Sequence, residues 1–135
     1  MTWSDYYKTM LALTMWREAR GEGREGMRAV GHVIRNRVVK WMGDWDHIIT
    51  AKWQFSSMTA PGDSQLVLWP DSPNAEFELA MLLATDIYVG MDRDITGGAL
   101  YYRNAQTATS EWFQKNVAEK MRQTAVIGHH EFYAP

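Results

Sequence analysis

The 135-residue sequence contains no cysteine. That excludes a disulfide scaffold, a cysteine nucleophile, a thiolate zinc site and an iron–sulfur cluster. No apolar run approaches the roughly 20 residues that a spanning helix needs, so stable membrane insertion is not expected. The first residues, Met1 to Tyr7, are polar and aromatic and lack a basic start, which is not the pattern of a secretory signal. Internal repeats, linkers and low-complexity tracts are missing too. Net charge is only −2, which gives no global reason to expect a nucleic-acid partner. What is present is a 46% hydrophobic composition with seven tryptophans, six tyrosines and four phenylalanines. A chain of this length and composition is expected to fold as one domain over residues 1–135.

Charge is unevenly spread. Arg17 to Lys40 carries a net +4 and the remainder −6. Arg24, Arg28 and Arg35 therefore form either a solvated helix flank or a basic patch that attracts anionic material.

The apolar periodicity predicts a helix over 3–20, with Ser4 as its cap and Tyr7, Leu11, Thr14, Met15 and Glu18 along one stripe. Gly21 and Gly23 stop it. A second helix is expected from about Arg24 to Lys40, where Gly31 allows close approach of a neighbour. Trp53 to Pro73 reads as a long loop. Ser72-Pro73 resembles a cap followed by proline at the first helical position, opening a helix that runs to about Gly90. Ala99 to Arg103 suits an extended segment, Ser110 to Met121 a helix, and Thr124 to Tyr133 a hairpin around Gly128. The expected fold class is mostly α (α+β) with a small β element. Trp16, Trp41, Phe55 and Phe77 are assigned to the core.

Glu18 stands out chemically. A carboxylate on an apolar stripe is costly unless neutralised or paired. It also lies at a helix C-terminus, where the dipole disfavours negative charge. Both effects raise a carboxyl pKa, as general acid catalysis requires. The competing reading pairs Glu18 with Arg17, Arg20 or Arg24. Glu22 and Glu25 are candidates for a second carboxylate, or are surface residues paired with arginines. Gly21-Glu22-Gly23-Arg24-Glu25-Gly26 matches G-x-G-x-x-G, but it follows a helical pattern rather than a strand, so it is not a dinucleotide site. His129 and His130 point to opposite faces of an extended segment, which argues for one buried hydrogen-bonded histidine and one exposed, not a metal site. His32 and His47 show no ligand spacing. No metal or cofactor is expected. Of Tyr101 and Tyr102, alternation turns one inward and leaves the other to a groove or solvent.

Five segments in order resemble the SleB-like cell wall hydrolases, a family of spore-cortex-lytic enzymes and phage endolysins. They are Trp16-Arg17-Glu18-Ala19-Arg20-Gly21-Glu22, Glu25-Gly26 with Val33-Ile34-Arg35-Asn36-Arg37-Val38, Gln54-Phe55-Ser56, Thr96 to Tyr102 with Asn104, and Ile127 to Tyr133. The resemblance implies a lysozyme-like fold and cleavage of peptidoglycan glycan strands between N-acetylmuramic acid and N-acetylglucosamine. It places the catalytic acid at Glu18 and makes Gln54, Ser56, Tyr101, Tyr102, Asn104 and His130 substrate-groove residues. It favours lytic transglycosylation, in which one carboxyl serves as acid and then base; hydrolysis with a second carboxylate such as Glu22, and a wall-binding module without catalysis, are the alternatives. Arg17 departs from the small residue often found there and would lower the Glu18 pKa if it points inward. Ala105 replaces the proline often found after the Asn. The simplest setting is a monomeric phage endolysin, made in the host cytoplasm and acting on the wall after release.

Overall fold

A computed structural model describes residues 1–52 and 54–135; Trp53, at the start of the expected long loop, lies outside the described residues. Helix α1 spans Trp3–Ala19 and is capped by Thr2. The Thr2 hydroxyl accepts from the Asp5 N–H, and the Asp5 carboxylate accepts from the Thr2 N–H, a reciprocal box that starts the helix two residues before the expected Ser4 cap. Every residue from Leu11 to Arg17 is buried. The second half of α1 is thus enclosed on all sides rather than along a single apolar stripe, while its first turns face solvent.

A 3₁₀ turn, Arg20–Glu22, ends α1 one residue earlier than expected and leads into α2, Gly23–Trp41. α2 crosses α1 at Gly31. A Cβ there would stand 2.9 Å from Met15 Sδ and 2.7 Å from Ile87 Cδ1, so glycine permits the close approach that the sequence suggested. Trp41 is a correction: it is 43% exposed, because the last turn of α2 runs past the core. Trp16 and Phe55 are buried as expected, and Phe77 lies half-buried edge-on against Trp16.

α3 (Trp45–Ile49) follows. The expected loop contains two short helical pieces, α4 (Ser56–Thr59) and a 3₁₀ turn over Ser64–Val67. Neither is long enough to show a period in sequence. α5 spans Ala75–Val89 and ends at Gly90 in a left-handed cap. Its N-cap is Asn74, whose side chain accepts from the Phe77 N–H, not Ser72; Pro73 lies before the helix. α1, α2 and α5 pack together around Leu11, Met15, Val30, Ile34, Ala84 and Ile87.

The small β element is a three-stranded antiparallel sheet in the order β1-β3-β2, from β1 (Tyr101–Asn104), β2 (Arg122–Ile127) and β3 (His130–Ala134). The β2–β3 hairpin turns at Gly128 as expected. β1 pairs Tyr102 with Phe132 and Asn104 with His130. Thr124 is the extra residue of a bulge in β2, and its hydroxyl donates to the Thr96 carbonyl. The expected helix over 110–121 is a correction. It is a single α turn, α6 (Glu111–Phe113), running into a π turn over Gln114–Ala118. Ser110 caps it by accepting from the Phe113 N–H.

Candidate functional site

The helical lobe and the sheet meet in a cleft of about 1220 Å³. Glu18 and Arg37 form its floor. Arg17, Gln54, Ser56, Ser57, Asp63 and Gln65 come from the helical side. Tyr101 to Asn104, the segment 107–113 and His130 come from the sheet side. All seven residues singled out from the sequence (Glu18, Gln54, Ser56, Tyr101, Tyr102, Asn104 and His130) therefore border one cavity.

Two side chains from α2 fix the sheet side in place. Asn36 donates to the Ala99 carbonyl and to Asp94 Oδ2, both at 3.0 Å, and Arg37 Nε donates to the Leu100 carbonyl at 2.6 Å. Asp94 in turn accepts from the Thr96 N–H and hydroxyl and from the Gly98 N–H. Gly97 and Gly98 have φ of +69° and +82°, the left-handed region that favours glycine. This clamp sets the start of β1, hence the positions of Tyr101 and Tyr102.

Glu18 lies in the last turn of α1, half-buried at the cleft floor. The Tyr102 hydroxyl donates to Glu18 Oε1. Among the described residues no arginine forms a salt bridge with Glu18: Arg20 donates to the Trp16 carbonyl and to Gln65 Oε1, and Arg24 is bound to Glu25. Arg17 points inward, but its guanidinium goes to the Ser57 and Leu68 carbonyls and to Met58 Sδ. The Glu18 carboxyl is held above its ordinary pKa, chiefly because burial penalises the charged form. The negative field of Asp63 adds to the rise. Ser57 and the Tyr102 hydroxyl act against it by favouring the carboxylate. The Ser57 hydroxyl faces the carboxylate but meets no partner at full hydrogen-bond geometry. The Tyr102 phenol is itself pushed well above its ordinary value by burial and by Glu18, so it remains a donor.

β1 is an edge strand, and all four of its residues border the cleft. Both tyrosines border the cleft, as the family resemblance implies and against the alternation argument, which left only one of them to a groove or solvent. Tyr102 packs against His130 and Phe132, while Tyr101 packs between Trp41 and Trp112. His130 is buried, yet its Nδ1 has no hydrogen-bond partner, in contrast to the bonded buried histidine expected. Burial lowers its pKa, so the neutral ring is favoured. The Ser56 hydroxyl donates to Asp63 Oδ2 at 2.6 Å, and Asn104 Oδ1 accepts from the Gln106 N–H at 2.8 Å, so both side chains also shape their own loops.

Glu22 lies elsewhere. Its carboxylate accepts from the His129 N–H at 3.1 Å and meets His129 Nδ1 at 3.0 Å, tying the end of α1 to the hairpin turn. These bonds hold its pKa low, and it does not border the cleft. Its partner is thus a histidine rather than an arginine. Glu25 is exposed and bound to Arg24 and Arg28, and Arg28 also binds Asp92, so much of the expected basic flank is internally paired. His47 is a further correction: with Asp44 and Asp46 it places ligand atoms within 4.8 Å of one another, on an exposed surface.

Sequence reasoning missed Asp63, Arg37 and Trp112 as cleft residues. Asp63 and Trp112 come from irregular segments without periodicity. Arg37 sits in a helix where charge alone suggests solvent, yet it is 3% exposed and stacked on Phe55, Trp41 and Tyr101.

Residues 21–133 match the cell wall hydrolase family. The chain is 34% identical to the spore cortex-lytic enzyme of Halalkalibacterium halodurans over 96% of its own length and 35% of that protein. It is 36% identical to that of Oceanobacillus iheyensis over 91% of its length and 40% of that protein. It thus spans between a third and a half of these relatives. The catalytic domain of the germination-specific lytic transglycosylase SleB from Bacillus anthracis superposes with a TM-score of 0.73 at 32% identity, covering 99% of this chain and 97% of that one. The catalytic domain of Bacillus cereus SleB gives 0.73 at 31% identity, covering 98% and 93%. The fold is that of these catalytic domains, the lysozyme-like class expected from the sequence. With a family match over most of its length and two such structural counterparts, the chain belongs to the cell wall hydrolases.

Proposed function

We propose that this domain cleaves peptidoglycan glycan strands at the β-1,4 bond between N-acetylmuramic acid and N-acetylglucosamine, by lytic transglycosylation with Glu18 as acid and then base. The observation that carries the proposal is a carboxyl group at the floor of a large cleft whose pKa is raised by burial and whose Oε1 accepts from a neutral phenol. With Oε1 engaged by Tyr102, the proton of neutral Glu18 resides on Oε2. That proton passes to the glycosidic oxygen as the bond from the muramoyl C1 breaks. The resulting carboxylate, still receiving the Tyr102 hydrogen bond, takes the proton of the muramoyl 6-hydroxyl as O6 bonds to C1. A 1,6-anhydro end forms, Glu18 regains its proton, and no water is consumed. Gln54, Ser56, Tyr101, Asn104 and His130 line the path of the strand.

Hydrolysis is the second reading, favoured by one observation: Asp63, not Glu22, is the second carboxylate in this cleft. Mass spectrometry of digested sacculi separates the two. Anhydro-muramoyl ends that disappear with Glu18→Gln support the proposal. Reducing muramoyl ends that disappear in the same variant would replace it with hydrolysis, and cleavage undiminished in the variant would remove Glu18 from the reaction.

The setting we propose is that of a monomeric endolysin, acting on the wall after release from the cytoplasm in which it is made. The relatives bear the names of spore cortex-lytic enzymes, so sacculi of vegetative cells and decoated spores are the substrates to compare. Turnover confined to spores would overturn the endolysin setting while leaving the reaction intact.

A further inference from the structure

Trp112 is 54% exposed and borders the cleft, and among the described residues it is the tryptophan that does so. An indole left open in a polar groove leaves apolar surface in water, and its position here is held from behind. Tyr101 packs against it at a centroid distance of 6.0 Å and is itself backed by Trp41 at 6.2 Å. The Arg37 guanidinium lies 5.0 Å from the Tyr101 ring and 5.5 Å from Trp41, and it is anchored by its bond to the Leu100 carbonyl. The short helix carrying Trp112 is pinned on its other side. Phe113 packs edge-on against Tyr133, Arg103 donates to Thr109 Oγ1 and Gln114 Oε1, and Asn116 donates to the Trp112 carbonyl. It runs at once into a π turn, a backbone irregularity frequent at functional sites.

This is a rigid aromatic face beside the hydroxyls of Thr107, Thr109 and Ser110 in the same wall. An apolar ring face flanked by hydrogen-bonding groups fits one face of a pyranose, whose C–H groups meet the ring while its hydroxyl and acetamido groups meet the polar neighbours. Tyr102 serves Glu18 from one side of β1, whereas Tyr101 supports Trp112 from the other. The cleft volume also exceeds the about 300–1,000 Å³ usual for a small-ligand pocket, which suits an extended strand.

We propose that Trp112 is a stacking platform for an N-acetylhexosamine unit of the bound strand, displaced from the unit whose bond Glu18 breaks. The inference rests on the function proposed above and adds a second point of grip on the same strand. It makes binding depend on chain length.

The test is binding without turnover. N-acetylglucosamine oligomers from monomer to hexamer are titrated into Glu18→Gln, Glu18→Gln/Trp112→Ala and Glu18→Gln/Trp112→Phe, with melting curves to show that each is folded. The alanine variant is expected to bind the long oligomers about tenfold more weakly, the equivalent of losing roughly 55 Å² of apolar contact at about 25 cal/mol per Å². The shortest oligomers are expected to bind unchanged, and phenylalanine is expected to restore part of the loss. Equal affinity in all three proteins, an equal loss at every length, or no binding of any oligomer would overturn the platform. Digestion of sacculi by the wild type judges the reaction separately. Anhydro ends formed there, together with unchanged long-oligomer binding, would refute the platform alone; loss of long-oligomer binding without anhydro ends from the wild type would refute the reaction alone.

Discussion

Replacing Tyr102 with phenylalanine removes one oxygen and leaves the ring that packs on His130 and Phe132. What is lost is the donor to Glu18 Oε1. A hydrogen bond to a charged group contributes about 1.5–3 kcal/mol. Here it favours the carboxylate over the acid, so its loss raises a pKa that burial already holds high. The proposed reaction begins with protonated Glu18, so activity should fall as pH rises through that pKa. The alkaline limb of kcat/KM, which reports the free enzyme, should therefore move upward. The rate on the plateau should fall about 10- to 100-fold, because the carboxylate formed in the first step has lost the same stabilisation. The assay is release of soluble muropeptides from purified sacculi, run from about pH 4 to about pH 9 to cover the limb. A limb that stays in place or moves downward, with the protein folded, would refute the role given to the phenol.

Four further outcomes follow. Asp63→Asn removes a negative field that raises the Glu18 pKa, so the alkaline limb should move down, opposite in sign to Tyr102→Phe; an upward shift would contradict the placement of Asp63. Glu18→Gln should abolish cleavage and, near neutral pH, melt higher than the wild type. A folded pKa above the unfolded one means that the wild type loses stability as pH rises from the unfolded toward the folded value, and glutamine does not titrate, so a Tm gap independent of pH would be inconsistent with a buried acid. Glu22→Ala should keep activity within a factor of about two while costing about 1 kcal/mol, measured by urea unfolding. Because the Glu22 pKa is lowered, that stability is present above the unfolded value and fades as pH falls; a hundredfold loss of rate would restore Glu22 to the chemistry. Asp94→Ala, which breaks the clamp on residues 96–99, should destabilise by about 2–4 kcal/mol and slow turnover through misplaced tyrosines, and unchanged melting would show that the clamp is not needed.

Helices with strong apolar periods were legible in the sequence, and so was Glu18, because an acid on an apolar stripe breaks the pattern around it. The end of α1 was misplaced by one residue and its cap by two, because Thr2 and Ser4 are chemically equivalent caps and the Thr2–Asp5 reciprocity decides between them. Ser72-Pro73 misled for the same reason: Asn74 is an equally good cap two positions on. Tyr101 and Tyr102 were both found by motif, whereas alternation along a strand would have left only one of them to a groove or solvent. Arg37 was hidden by its charge. Its burial depends on Phe55, Trp41 and Tyr101, which are scattered over more than sixty positions (residues 37–101) and leave no local pattern. Asp63 and Trp112 belong to segments where no period extends beyond a turn.

The two carboxylates of the cleft are treated differently by their surroundings, and the difference assigns their work. Asp63 has one oxygen receiving the Ser56 hydroxyl and the other receiving the Gln65 N–H, so both of its oxygens are already engaged by its own loop. Glu18 receives a phenol on one oxygen and is otherwise held by burial, so it keeps a proton while retaining a donor for the charge left when the proton departs. Raising the pKa by burial alone would keep the proton in place but make its departure costly, since the carboxylate left behind would be poorly stabilised. An arginine beside the group would instead leave it ionised, with no proton to give. Burial opposed by a neutral donor suits one residue to both steps of the proposed reaction, and the nearby Asp63 adds to the rise. On this geometry the second acid of a hydrolase is present in number but not in availability, and that favours the reaction in which the substrate's own hydroxyl is the nucleophile.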